Sequence, residues 1–237
     1  MLVLQLTFCA SQSRNLLIQA EMLLIRSGPE GHRDGGIFLS RAEQSIDAHL
    51  GVAGFLDVET TGLSPYEHEV VEFALALFTY NRLSGEIVAV VDVYTGLREP
   101  DRPIPAAATR VHGLTIDDVR GHRLDEERIE RMLAQAEFLI AHNAAFDRGF
   151  VTRLFPESQA KQWLCSMRGV KWRYRGFSSA ALQNLLHWHD IKPTQAHRAG
   201  DDVQCALQLL SRKDSTGNTY FWELLQQLDL KTKKDIS

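Results

Sequence analysis

Cysteine is scarce in this 237-residue chain. Cys9, Cys165 and Cys205 are three in number and form no Cys-x-x-Cys pair, so neither a disulfide framework nor a zinc ribbon is indicated. A reducing compartment is the expectation. Runs of about 18 apolar residues are missing, so no membrane-spanning helix is expected. The opening MLVLQLTFC is apolar but short for a secretory signal and has no basic flank, and Phe8 before Cys9 is too bulky for a lipoprotein cleavage site. The chain is therefore expected to be cytoplasmic, without a membrane partner. Positive charge is also in short supply: 26 Lys and Arg stand against 30 Asp and Glu, a net charge of −4. No global basic field draws such a chain onto nucleic acid, so contact with a polyanion needs a local patch or bound metal. The GxxxxGK[ST] phosphate loop, the GxSxG elbow, a GxGxxG after a strand and HExxH are all missing. The nearest approach, His68-Glu69-Val70-Val71-Glu72, ends in Glu and sits in a strand pattern. It cannot set two imidazoles on one helical face and reads as structural.

What the chain does have is an ordinary globular composition, 44% hydrophobic and 24% charged. At about 150 residues per domain the length predicts one domain with additions, or two small ones. Residues 1–50 differ in texture from the rest. Leu16, Ala20, Leu23 and Leu24 fall at helical spacing, which predicts an amphipathic helix over Arg14–Ser27. A glycine-rich linker (28–36) and a short helix over Ser40–Leu50 are expected to follow. From Val52 onward apolar runs alternate with amphipathic ones. Strands are expected over 52–58, 69–80, 85–96, 137–142 and 162–167, with Asn81–Ser84 as a hairpin turn. Helices are expected from Thr115 as N-cap, over Asp125–Ala136, from Asn143, over Ser178–His189 and over Gly200–Ser211. A strand hairpin followed by alternating strands and helices indicates a layered α/β or α+β sheet. Beyond residue 212, Phe221, Leu224, Leu225 and Leu228 share one face of a helix over Tyr220–Leu230, ahead of a basic tail.

The strongest chemical signal is FLDVETTGL (55–63). Asp57 and Glu59 lie two apart at the end of a buried strand, and period-two alternation puts both carboxylates on one face. At about 5 Å and an effective dielectric near 20, two such charges repel by roughly 3 kcal/mol. The pair makes physical sense if a divalent cation fills the gap, and hard oxygen ligands favour Mg²⁺ or Mn²⁺ over zinc. A solvated strand end is the plainer explanation. Against it, D-x-E-T-T-G arises by chance only about once in a million positions.

The motif resembles the first motif of the DEDDh exonucleases, the DnaQ-like group that includes the proofreading epsilon subunit of bacterial DNA polymerase III. AHNAAFDRGF (141–150) is similar to that family's second motif, giving Asp147, and AHRAGDD (196–202) to its third, giving His197 and Asp202. The turn RVHGLT (110–115) and WLCSMR (163–168) also look family-like. The match runs from about Val52 to Leu210 in the right order. His-x4-Asp occurs three times, as His112/Asp117, His142/Asp147 and His197/Asp202, and only chain order and neighbours select the last as catalytic. Residues five apart on one helix point about 140° apart, so His197 is expected in the loop ahead and Asp202 in the first helical turn. Asp201 is expected to be solvated or a cap.

The resemblance implies an RNase H-like α/β fold, a mixed five-stranded sheet flanked by helices. It implies an exonuclease domain over 51–212, between an N-terminal extension (1–50) and a C-terminal helix and tail (213–237). It also implies two divalent cations, Mg²⁺ or Mn²⁺. Asp57 would bridge both, Glu59 and Asp202 would complete the first ion's shell, and Asp147 would hold the second, directly or through water. His197 would be the general base, a role that suits a histidine at neutral pH. Thr60, Thr61, Leu63 and His112 are the substrate-contacting candidates, His112 equally readable as a turn residue. Asn143 and Phe146 either line the pocket or support the second motif. The expected reaction is 3′–5′ shortening of single-stranded or frayed DNA to nucleoside 5′-monophosphates. RNA is the alternative substrate, and a non-catalytic nucleic-acid-binding module is the alternative of another class. RGVKWRYRGF (168–177) mixes Arg168, Lys171, Arg173 and Arg175 with Trp172, Tyr174 and Phe177. It reads either as a strand-binding patch or as a solvated connection over core aromatics. The terminal helices are candidate contacts for a DNA polymerase or a second copy, although the Phe221 helix reads first as closing its own core.

Overall fold

In the computed structural model of the chain, residues 49–234 are described, with side chains through Leu228. All of these residues belong to one compact unit. The helix expected over Arg14–Ser27 and the 28–36 linker lie outside the described residues. The helix expected over Ser40–Leu50 is corrected at its end: His49 is in a turn and Leu50 already opens a strand. The alternation that defines that strand thus begins two residues earlier than the apolar run suggests.

Five strands form one mixed sheet in the order β3-β2-β1-β4-β5. They are β1 (Leu50–Thr60), β2 (Val70–Asn81), β3 (Ile87–Leu97), β4 (Phe138–Ala141) and β5 (Gln162–Cys165). β1 to β3 form an antiparallel meander, while β4 and β5 add in parallel beside β1. The meander turns where expected, because Asn81 Oδ1 accepts from the backbone N–H groups of Leu83 and Ser84. β1 and β2 are apolar on both faces because both faces are covered. On one side Phe55, Ala74, Ala76 and Phe78 join a core with α7 (Ala199–Leu210) and α8 (Tyr220–Lys234). On the other, Leu56, Phe73, Leu75 and Leu77 pack with α3 (Glu126–Gln135) and α4 (Ala144–Leu154). This is the mixed five-stranded, helix-flanked sheet of the RNase H-like fold.

The expected helices form with shifted ends, and two form where none was expected: one over Ala106–His112, running into the expected turn RVHGLT (110–115), and one over Ser166–Gly169, across the end of the strand expected over 162–167. The shorter ones are α1 (Ala106–His112), α2 (Ile116–Val119), α5 (Ser166–Gly169) and α6 (Leu182–Trp188). α2 starts after Thr115, whose N–H and hydroxyl both donate to Asp118 Oδ2. α3 is capped by the Asp125 side chain on Arg128 N–H and buries Ile129, Met132 and Leu133, as its pattern predicts. The helix expected over Ser178–His189 begins only at Leu182. Ser179 Oγ accepts from Ala181 N–H and from Asn184 Nδ2, and this local bonding competes with the helix ladder. Asn143 does occupy the N-cap position of α4, but its side chain makes no capping hydrogen bond.

α8 closes its own domain's core. The Phe221 ring is edge-on to Phe78 and Tyr80, at 5.4 and 5.2 Å between centroids, and stacks on Phe138 at 6.4 Å. Leu224 and Leu225 are buried beside it and Leu228 packs at the margin. Phe221→Ala is expected to cost about 3–5 kcal/mol of unfolding free energy in urea titration. A loss below about 1 kcal/mol would show that this helix lies outside the cooperative unit.

Candidate active site

The site assembles at the carboxyl end of β1. Asp57 and Glu59 stand on one face of that strand, in register with Ala74 and Glu72 of β2. The pairing slips between Glu59 and Thr60, and the chain leaves the sheet in a tight loop. Thr60 Oγ1 donates to Gly62 O at 2.7 Å, and Thr61 Oγ1 accepts from Glu69 N–H at 3.0 Å. The loop needs glycine at its bend, because a Cβ on Gly62 would stand 2.5 Å from the His68 ring. β4 runs parallel beside β1 and delivers α4 to the same end, with Asp147 buried in its first turn. α7 brings Asp202 in its own first turn, also buried, and His197 sits exposed in the loop before it. Adjacent Asp201 is engaged elsewhere, accepting the backbone N–H of Gln195.

Carboxylate oxygens of Asp57, Glu59 and Asp202 lie within 4.8 Å of one another. Those three, Asp147 and His197 all line one cavity of about 230 Å³, together with Asn143, Phe146 and Gln183. A larger hollow of about 740 Å³, between residues 99–104 and α1, contains none of the five. The donors around the smaller cavity are oxygens at a spacing one cation could span, which fits a hard divalent ion.

Crowding acids away from water shows in their protonation. Burial pushes Asp57 well above the carboxylate range, and the charges of Asp147, Glu59 and Asp202 push it further. Burial, then Asp202 and Glu72, raise Glu59 from 4.5 to about 8, with Arg198 opposing. Burial lifts Asp147 to about 7, although the backbone N–H groups of Asp147 itself and Val58 pull the other way. Asp202 is raised by burial and held back by its bond from Gln183 and by the charge of His197.

The other candidates are placed less uniformly. Phe146, half-buried against Phe150 at 5.0 Å, and exposed Asn143 line the cavity. Thr60, Thr61, Leu63 and His112 do not. The two threonine hydroxyls are spent on the loop, whereas Leu63 is 84% exposed beside it. His112 is buried, its Nδ1 accepting from Leu114 N–H. That accounts for one of the two decoy His-x4-Asp pairs, since Asp117 pairs with Arg120 at the surface. The other decoy histidine, His142, is tied to Ser166 Oγ and Ala180 O. The 168–177 segment divides. Trp172 is core and donates to Ser166 O, and Arg175 pairs with Asp214 and Glu223. Arg168, Lys171, Arg173 and Tyr174 remain on the surface. Two neighbours of the site had no sequence motif to announce them. Gln183 donates to Asp202 Oδ1 at 2.9 Å, and Glu72 holds Arg198.

A carboxylate pair on a strand end, joined by acids from two helices on an RNase H-like sheet, defines a nuclease-type centre. Residues 55–210 match the RNase T family, described as Exonuclease, and the chain belongs to this DnaQ-like exonuclease family. It is 25% identical over 223 residues to the DNA polymerase III PolC-type of Caldanaerobacter subterraneus subsp. tengcongensis, covering 89% of this chain and 14% of that protein. It is 31% identical over 161 residues to the PolC-type enzyme of Bacillus subtilis, covering 65% and 11%. The chain thus spans a small part of the length of these relatives. Its fold is similar to exonuclease I, in a structure said to suggest how processivity is achieved (TM-score 0.53, 18% identity, 68% of this chain and 40% of that one). It is likewise similar to E. coli exonuclease I in complex with a dT13 oligonucleotide (TM-score 0.56, 17% identity, the same coverage). Among the described residues no helix is long and apolar enough to cross a membrane.

The acid cluster makes stability depend on pH and metal together. Glu59 titrates at about 8 in the folded chain against an ordinary 4.5, so the folded chain holds the extra proton between those values. Stability must then fall as pH rises through that window. In EDTA the melting temperature is expected to drop from about pH 5 to pH 8 more steeply than in Glu59→Gln. Mg²⁺ should raise it more at pH 8 than at pH 5, and Asp202→Asn should melt above wild type in EDTA at pH 8. An equal Mg²⁺ shift at both pH values would contradict a converged, ionisable cluster.

Proposed function

We propose that this chain is a DEDDh-type 3′–5′ exonuclease that uses divalent cations to shorten single-stranded or frayed DNA, releasing nucleoside 5′-monophosphates. The observation that carries this reading is the convergence of Asp57, Glu59 and Asp202 within 4.8 Å, with Asp147 and His197 lining the same cavity. Asp57, Glu59 and Asp202 would hold one ion, and Asp57 with Asp147 a second. Mg²⁺ and Mn²⁺ suit this oxygen-only set. When bound, the ions supply charge neutralisation and a clamp for in-line displacement at phosphorus.

The chain's own residues do the rest. His197, at the open side of the cavity, takes a proton from the attacking water on its unprotonated ring nitrogen. The new P–O bond forms as the bond to the 3′ oxygen of the penultimate nucleotide breaks, and that oxygen leaves with the bonding pair and takes a proton from solvent water to become the 3′ hydroxyl of the shortened strand. Gln183 keeps one oxygen of Asp202 oriented. Phe146 offers an apolar wall to the terminal sugar and base, and Asn143 an amide beside it. Leu63, exposed just past the acids, meets the terminal base. Thr60 and Thr61 shape the loop beneath it, and His112 supports the turn behind. DNA is the favoured substrate because the relatives are DNA polymerase III proteins and a fold neighbour is complexed with an oligothymidylate. The same likeness supports a polymerase as working partner.

The test uses 5′-labelled DNA and RNA oligonucleotides with Mg²⁺ or Mn²⁺, with EDTA and Asp57→Ala as controls. DNA ladders shortening from the 3′ end are expected, abolished in both controls. Shortening of RNA alone would reassign the substrate, and binding without shortening would establish a non-catalytic module. His197→Ala should lower kcat by about 10²–10⁴-fold with Mn²⁺ affinity near wild type. Equal losses of affinity and turnover would remove the general-base role.

A further inference from the structure

Glu72 is an acid in the middle of an apolar strand, VVEFALALFTYN, and it is 1% exposed. It faces Glu59 across the β1–β2 pair. A carboxylate so placed must be paired, and its partners come from 126 and 127 residues away. Oε1 accepts from Arg198 Nη2 at 2.7 Å and Nε at 3.1 Å. Oε2 accepts from Arg198 Nε at 3.0 Å and from the backbone N–H of Ala199 at 3.0 Å. Both oxygens are thus engaged, which removes Glu72 from the pool of metal ligands.

The segment it grips is the approach to the third motif. Arg198 is the N-cap residue of α7, in extended conformation and without a side-chain cap of its own. Ala199 is the first helical residue, and Asp202 N–H bonds back to Arg198 O at 3.0 Å. Immediately before, His197 has φ +59, the left-handed region that residues with a Cβ seldom occupy. A strained bend persists only where its surroundings over-determine it. The fork from Glu72 fixes both residues that follow the bend.

We propose that Glu72 is a positioning residue for the reaction. Through the Arg198 fork and the Ala199 N–H it locks the bend at His197 and the first turn of α7 onto β2. It thereby sets where the imidazole and the Asp202 carboxylate stand relative to Asp57 and Glu59 on the adjoining strand. This rests on the function proposed above. A merely structural ion pair behaves differently, since replacing both partners by apolar groups of similar size generally restores what breaking one partner loses.

The experiment compares the full chain with Glu72→Gln, Arg198→Lys and the double variant Glu72→Leu/Arg198→Leu. kcat and KM are measured on a 5′-labelled DNA oligonucleotide with Mg²⁺, and amide hydrogen exchange at Ala199 and Asp202 without metal. Glu72→Gln and Arg198→Lys are expected to lower kcat by about 10²-fold, the cost of a misplaced catalytic group. KM should stay within about threefold, and the Ala199 amide should exchange faster. The double variant should regain melting temperature without regaining kcat. A kcat within about twofold of wild type in either single variant, a loss confined to KM, or full kcat in the double variant would overturn the proposal. Should the wild-type chain itself fail to shorten any strand, the exonuclease reading falls. The exchange data then decide the anchor alone, and unchanged protection at Ala199 in Glu72→Gln rejects it.

Discussion

Mutual repulsion among buried carboxylates is the constraint around which the rest of this domain is organised. Asp57, Glu59, Asp147 and Asp202 are brought together where water is thin, and burial raises the protonation equilibria of all four, with mutual charge adding to it at Asp57 and Glu59. A cluster of this kind does not assemble for its own sake. Something rigid has to hold the acids in place, and something positive has to balance them. The rigidity comes from β1 and β2, apolar on both faces and covered by helices on both sides. The few acids on these strands fix the register, because a slip of one residue would turn Asp57 and Glu59 onto the opposite, apolar face.

Topology does the gathering. β1 supplies two acids from alternate positions at its carboxyl end. Because β4 is parallel to β1, the helix that follows it begins at the same end of the sheet and presents Asp147 in its first turn. α7 lies across β1 and β2 and begins there too, so Asp202 also occupies a first turn. Three chain segments far apart in sequence therefore point their early residues at one spot, as open α/β sheets do at the carboxyl edge of their strands.

Much of this could be read from the residues alone, and the reasons are physical. Period-two spacing is rigid, so Asp57 and Glu59 had to share a face. A helix turns through 100° per residue, so a histidine and an acid five apart had to lie on different elements, as His197 and Asp202 do. The unreadable parts depend on tertiary company. Whether Asn143 caps its helix depends on where its side chain is drawn, and it lines the cavity without capping. The late start of α6 depends on a serine hydroxyl that prefers two local partners to the helix. Gln183 carries no mark that ties it to Asp202. Glu72 carried a faint one, a charge inside a strand otherwise apolar, but the partner 126 residues away that explains it has no local signature.

The charge balance explains why metal and substrate are one problem under the proposed function. The chain is net negative, and Arg198, beside His197, is committed to Glu72. A phosphodiester approaching the bare cluster meets four acids, and of the two imidazoles that line their cavity, His142 is tied to Ser166 and Ala180 while His197 is exposed. Repulsion at that range is barely screened, because the carboxylates of Asp57, Glu59 and Asp202 lie closer together than the roughly 8 Å Debye length of physiological salt. Cations bound between the acids reverse the sign of the local field, and the same oxygens that destabilise the metal-free fold become the reason a polyanion can be held. A protein that kept a standing basic patch for this purpose would bind nucleic acid whether or not it could cut it. Under the proposed function, strand binding is instead tied to the ions that the chemistry needs.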